Sequence, residues 1–369
     1  MNNPSAHAGI EMEEPMHHPY LTVHTITALP WHNLNRDENG APKQVTEGGV
    51  TRARLSSQSL KRAARIGFER DAEKRQQSLR TKLAVPLIVE RVAELRGGLT
   101  KQEEKKLTTA IATRVKSLTH ASESASDKET LVWLSAGELE QLAQTFAKDD
   151  DAPAVEASST DSLAIAAFGR MFAAAPGLNI PAAVSVGDAV TTHAAVIELD
   201  WFASVDDAQT EHLGAGQLGF TMQTSGVYYR SFTLDRAQLA RNWDLSLDSA
   251  EAEPLLRSFI RHITLDLPAG RSSGTAAQTL PALIVAEEQS HRVVYDFHQP
   301  VTADESGFLA PSIQSLLNKA ADARAFDPDL FGATFYSGTT AAHHLPSVSE
   351  VGSFGEYADF VVSHLREAA

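Results

Sequence analysis

Residues 34–65, LNRDENGAPKQVTEGGVTRARLSSQSLKRAAR, set the terms on which the rest of the chain folds. They hold seven basic residues (Arg36, Lys43, Arg52, Arg54, Lys61, Arg62 and Arg65) against three acidic ones (Asp37, Glu38 and Glu47). The whole chain carries a formal net charge of -15, so positive charge gathered this tightly points to an anionic partner. Asn39-Gly40 and Pro42 mark a turn, and Gly48-Gly49 lets backbone approach a partner closely because no Cβ intervenes. Ser56 and Ser57 are N-cap candidates for a helix whose apolar period runs through Leu60, Ala64 and Phe68. Gln58, Lys61 and Arg65 fall together on another face of it. A helix N-terminus followed one turn later by Lys and Arg suits phosphate. The same spacing also describes an ordinary amphipathic helix with a solvated basic face.

Outward from this stretch, 369 residues with 43% hydrophobic and 21% charged residues describe a globular chain long enough for a large core. With no cysteine there is neither a disulfide nor a Cys-ligated zinc, which fits a cytoplasmic protein, and no apolar run reaches the length of a membrane span. Residues 1–19 lack the basic and apolar regions of a signal peptide and read as a disordered leader. Tyr20 to Leu29 is rich in β-branched residues and reads as a first strand, ended by Pro30. Residues 66–148 read as almost wholly helical, and 149–161 as a surface loop. Leu163 to Phe168 and Ala194 to Leu199 read as buried strands, with a small-residue helix around 182–192 between them. Helices are expected over Leu234–Trp243, Ala252–Ile263 and Tyr357–Arg366, a strand over Leu280–Ala286, and a loop with a helix in GFLAPSIQSLLNKA from Gly307.

Two further features have two readings each. Met171 follows Gly169-Arg170 and precedes Phe172, and a methionine beside a phenylalanine is usually core filler. Trp201 and Phe202, an aromatic pair at a strand end, either stack bases or pack core.

LNRD at 34–37, GGVTRARLSSQSLKRAAR at 48–65, GRM at 169–171, TTH at 191–193, DWFASVDD at 200–207, SGVYYR at 225–230 and GFLAPSIQSL at 307–316 keep their order along nearly the whole chain. Together they resemble the CasC family, the repeated backbone subunit of the type I-E CRISPR Cascade complex, which coats guide RNA. The resemblance implies an α+β fold: a modified ferredoxin-like, RNA-recognition-type palm with a helical finger insertion and a thumb hairpin. The palm would be assembled from 20–65, 162–200 and 227–369, with the finger at 66–161 and the thumb at 201–226. The expected partners are CRISPR guide RNA, further copies of the chain head to tail, other Cascade subunits, and target DNA through the guide; no membrane and no cofactor are expected. The residues expected to meet RNA are Asn35, Arg36, Arg54, Ser56, Gln58, Lys61, Arg62 and Arg65, then Arg170 and Met171, then Trp201 and Phe202. In CasC-like proteins a methionine at the position of Met171 wedges against RNA bases. Arg170 beside it would be a phosphate or structural partner.

A non-catalytic RNA-binding role is therefore expected. The alternative is a metal-dependent RNA nuclease, because related backbone subunits of type III CRISPR complexes cut RNA with a loop aspartate; Asp37 or Asp206-Asp207 would take that part. An aspartate on a loop is more often a turn former. Gly214 to Gly219 spells G-x-G-x-x-G, but a polar segment precedes it and a strand pattern follows, so a dinucleotide site is rejected and the glycines read as a mobile loop. His193 and His343-His344 have no metal-ligand spacing.

Overall fold

The computed structural model describes residues 18–119, 131–148, 155, 158–205, 215–340 and 351–366. Residues 1–17 of the expected leader, most of 149–161, Asp206-Asp207, Gly214 and His343-His344 lie outside them.

The fold is a mixed α/β arrangement around one large antiparallel sheet. Its spine is a strand pair, β1 (Tyr20–His32) and β9 (Ala215–Asp235). On the far side of β1 lie β10 (Leu283–Gln289) and then β11 (Phe331–Ser337). The other edge of β9 is shared in succession by β6 (Val184–Val186), β7 (Ala189–Thr191) and β8 (Ile197–Val205). β3 (Val50–Leu55) then adds to β7, and β2 (Gln44–Glu47) to β3.

The period of two in β1 explains how the sheet is covered. Leu21 and Val23 face one core, built with α1 (Ser57–Asp71), α5 (Leu163–Phe168), α6 (Arg236–Asn242), α7 (Ala252–Leu265) and α10 (Phe354–Arg366). Ile26 faces the other, where α9 (Leu309–Phe326) packs Ile313, Leu316 and Leu317 against Leu283 and Val285. A short helix, α8 (Ser272–Thr275), sits in the loop before β10.

The insertion after α1 has a core of its own. α2 (Ala84–Arg96), α3 (Lys101–Thr119) and α4 (Ala136–Ala147) enclose Ile88, Val92, Ile111, Val115 and Leu142. It is not wholly helical: β4 (Ser78–Thr81) pairs with β5 (Val132–Ser135) at its root.

Three local expectations fail for physical reasons. Pro30 does not end the first strand; the register shifts between Leu29 and His32, and a bulge is where a sheet tolerates proline. Leu163–Phe168 is a helix, not a strand. Ser162 Oγ accepts from the Ile165 N–H at 3.4 Å to start it, Gly169 at φ +76° ends it, and all six residues are buried, so no periodicity marks it. Residues 182–192 are not a helix; Val184, Val186 and Val190 make β6 and β7 instead.

Candidate nucleic-acid interface

The basic stretch is held together by Asn35. Its Oδ1 accepts from the Ser56 N–H at 2.9 Å and the Ser59 hydroxyl at 3.3 Å, and its carbonyl accepts from the Lys43 N–H at 2.9 Å. Asn33 fixes the same loop to the sheet, donating to the carbonyls of Gly40 at 2.9 Å and Met222 at 2.8 Å. The loop, the β2–β3 hairpin and the start of α1 therefore form one rigid surface. Gly48 and Gly49 turn that hairpin with φ of +61° and +77°.

The seven basic residues divide by their partners. Arg52 is fully buried and donates to the carbonyls of Thr191 at 2.7 Å and Glu47 at 3.3 Å, and also to Phe297; it is a structural tie. Arg54 pairs with Asp188 at 3.1 Å. Arg65 pairs with Glu69 at 3.0 Å and lies 5.6 Å from the centre of the Trp133 ring. Lys43, Arg36, Lys61 and Arg62 have no carboxylate partner among the described residues. Lys61 is half-buried, and that burial lowers its pKa, so an incoming anion would relieve an uncompensated charge. Gln58 and Arg62 are exposed beside it on α1.

The start of α1 is arranged differently from the expectation. Ser56 stands at the N-cap position and is buried, but its hydroxyl makes no cap hydrogen bond. The Ser57 N–H is taken by Asp188 Oδ1 at 2.7 Å, so a carboxylate already complements the helix dipole there. The positive charge left uncompensated on this surface is therefore that of the side chains of Arg36, Lys43, Lys61 and Arg62, not that of the helix N-terminus.

His32 backs the loop. Its Nδ1 accepts from the Leu34 N–H at 3.3 Å, which leaves Nε2 to meet the Tyr228 hydroxyl at 3.1 Å. Burial lowers its pKa from 6.5 to about 4, so the folded state holds the ring neutral. Stability from this group is complete above the unfolded value and is lost as pH falls toward about 4, some ~3 kcal/mol across that window. His32→Asn, whose amide oxygen can accept from Leu34, should flatten that part of a denaturation-against-pH curve; an unchanged slope would refute the assignment.

Met171 is 78% exposed, whereas Arg170 and Phe172 on either side are 6% and 2% exposed. It borders an open groove of about 380 Å³ that runs along Gly169, Asn179, Ile180 and Pro181. Arg170 is sequestered by an ion pair with Glu138 at 2.6 Å, so of the two expected neighbours only Met171 is presented to solvent.

β8 and the first half of β9 form a ribbon. Trp201 (69% exposed) and Phe220 (52% exposed) lie opposite each other with ring centres 5.4 Å apart, and Leu199 and Leu218 flank them on the same face. Leu199, Leu218 and Phe220 escaped the sequence reading, though the alternation 199/201 and 218/220 across a hairpin is their signal. Phe202 points to the other face and lies over Gly219, whose missing Cβ makes room for the ring. Gly216 and Gly219 thus belong to a strand, not to the expected loop.

The remaining candidates are accounted for within the fold. Asp37 Oδ1 accepts from the N–H groups of Asn39 and Ala41, both at 2.9 Å, so it builds a turn. His193 donates through Nδ1 to the Ala194 carbonyl at 2.8 Å, accepts at Nε2 from the Val227 N–H at 3.1 Å, and stacks on Phe308. Among the described residues no group of three or more His, Cys, Asp or Glu is placed to hold a metal ion. No helix among them is long and apolar enough to cross a membrane.

A family model described as CT1975-like protein matches residues 21–353. A chain of a solved structure titled CRISPR RNA-guided surveillance complex, pre-nicking, is 25% identical, covering 94% of this chain and 100% of that one with a TM-score of 0.74. A chain of a second, titled CRISPR RNA-guided surveillance complex, shares the fold at 22% identity and a TM-score of 0.61, covering 93% of this chain and 98% of that one. Comparison with curated proteins gives no match.

Proposed function

The chain belongs to the CT1975-like protein family, and from that premise we propose that it is the guide-RNA-binding backbone subunit of a CRISPR surveillance complex of the type I-E Cascade kind. The observation that carries this reading is the end-to-end likeness to a chain of an RNA-guided surveillance complex, joined to a basic surface whose Arg36, Lys61 and Arg62 have no carboxylate partner among the described residues. The strand order β10-β1-β9-β6/β7, with α1 after the first strand and α6 and α7 before the last, supports a ferredoxin-like palm. The helical insertion is its finger and the β8–β9 ribbon its thumb.

In this reading Arg36, Lys61 and Arg62 hold phosphates by charge, a sequence-independent contact. Met171 and the ribbon displace single bases at a regular interval, and the bases between stay free to pair with target DNA. The role is non-catalytic and exercised in the cytoplasm, beside other Cascade subunits. Purified protein incubated with labelled RNA and Mg²⁺ should leave the RNA intact; fragments would establish the nuclease alternative instead. The defining experiment is co-purification: the protein should emerge with RNA of one discrete length, and RNA-free protein or RNA of random length would overturn the proposal.

The ribbon's apolar face gives a second expectation. Trp201, Phe220 and Leu218 have no cover within the described residues, and adjacent copies stacking head to tail along RNA would bury them. Trp201→Ser with Phe220→Ser should leave a folded monomer that no longer forms long RNA-bound assemblies, as read by sedimentation. Assemblies of unchanged length would refute this use of the ribbon.

A further inference from the structure

The loop that presents Met171 is anchored in the insertion, not only in the sheet. Phe172 is part of the insertion's own core, with Ile111 and Leu142. The Ala174 N–H reaches the Leu118 carbonyl of α3 at 3.2 Å. Arg170 Nη1 donates to both carboxylate oxygens of Glu138 in α4, at 2.7 and 2.6 Å, and its guanidinium lies 4.5 Å from the centre of the Phe172 ring. Glu138 is itself held: its Oε2 accepts from the Ser135 N–H at 2.8 Å while its own N–H donates to Ser135 Oγ at 3.1 Å, closing a capping box. On the palm side, Arg170 and Ile180 exchange backbone hydrogen bonds of 2.8 and 2.9 Å. Gly169, at φ +76°, passes so close to the backbone of Ile180 and Ala182 that a side chain there would collide.

We propose that Arg170 is a positioning residue: through its pair with Glu138 it makes the helical insertion set the pose of Met171 against RNA. The Arg170 side chain is 2% exposed, too buried to serve as a phosphate contact. Separating a buried charge pair leaves an uncompensated charge and is costly, so a loop tied to it at both neighbours of Met171 is held in the geometry in which the pair is made. The proposal rests on Met171 acting as the wedge described above.

Glu138→Gln tests it, because the amide oxygen can still accept from Ser135 while the charge that holds Arg170 is gone. In RNA-free protein, amide exchange over residues 170–178 should rise at least tenfold, with β1 and β9 unchanged. On guide RNA, the periodic reactivity of displaced bases should disappear as it does in Met171→Ala, with affinity falling less than threefold. Arg170→Lys, which keeps a cation on Glu138, should retain most of the periodicity. Unchanged exchange at 170–178 overturns the proposal, and so does a loosened loop with periodicity intact. If wild-type protein gives no periodic pattern, the wedge reading fails, and the exchange measurement still decides whether Glu138 holds the loop. Should Glu138→Gln not fold, Glu138→Asp, which retracts the carboxylate by one methylene, is read by the same two quantities.

Discussion

Met171→Ala is expected to leave the melting temperature of the RNA-free protein within about 1 °C of the parent and to erase the periodic kinking of bound RNA. The two readings of this residue predict opposite results. A methionine packed in a core costs about 2–5 kcal/mol on truncation to alanine, enough to move the melting temperature by several degrees. A side chain 78% exposed is a surface position, where substitutions stay within about 0.5 kcal/mol. The effect should fall on the RNA instead, as uniform chemical reactivity along the guide where displaced bases had stood out. A large drop in melting temperature with the reactivity pattern intact would return Met171 to the core.

Lys61→Glu should weaken RNA binding at least tenfold on every sequence and flatten its salt dependence. Each phosphate contact to a single strand contributes roughly 0.7 to the slope of log affinity against log salt, so one lost contact per protomer is measurable. Arg65→Glu should behave differently. Its guanidinium is already paired with Glu69, and reversal puts two carboxylates together on one buried helix face. That variant should lose stability as well as affinity. A Lys61→Glu protein with the parental salt slope would remove Lys61 from the interface.

The contrast between these two residues marks how far the sequence could be read. Both sit one turn apart on α1, and helical spacing places them correctly on one face. What separates them is an acid four residues on and a ring from β5 over Arg65, and neither contact is encoded in the basic pattern. Similarly, Asp188 reaches the Ser57 N–H across 131 positions of chain, so a helix start that looked open is occupied. α1 and the helices of the insertion were legible because each has one wet face and one dry face, whereas the first strand, buried on both faces, was legible from its β-branched residues alone. Leu163–Phe168 was not, because a six-residue run buried on every side has no period to read. The β8–β9 ribbon is legible as a hairpin only through the family resemblance, and Gly216 to Gly219 read as a loop, because the ribbon's outward face is apolar and has no cover among the described residues, the reverse of the pattern that marks a sheet surface.

β9 also has a mechanical consequence. Its 21 residues span roughly 70 Å if straight, one uninterrupted backbone from the ribbon that carries Trp201 and Phe220 to the helices of the main core. Over its second half it is clamped along both edges, by β1 on one side and by β6 and β7 on the other. A pull on the tip directed along the strand is therefore borne in shear by many backbone hydrogen bonds at once, and none can yield singly. A pull across the strand would instead peel the free ribbon, where β8 is the main support. The same element is stiff along one axis and compliant across it, so a tip seated on a neighbouring molecule would follow sideways bending while resisting extension.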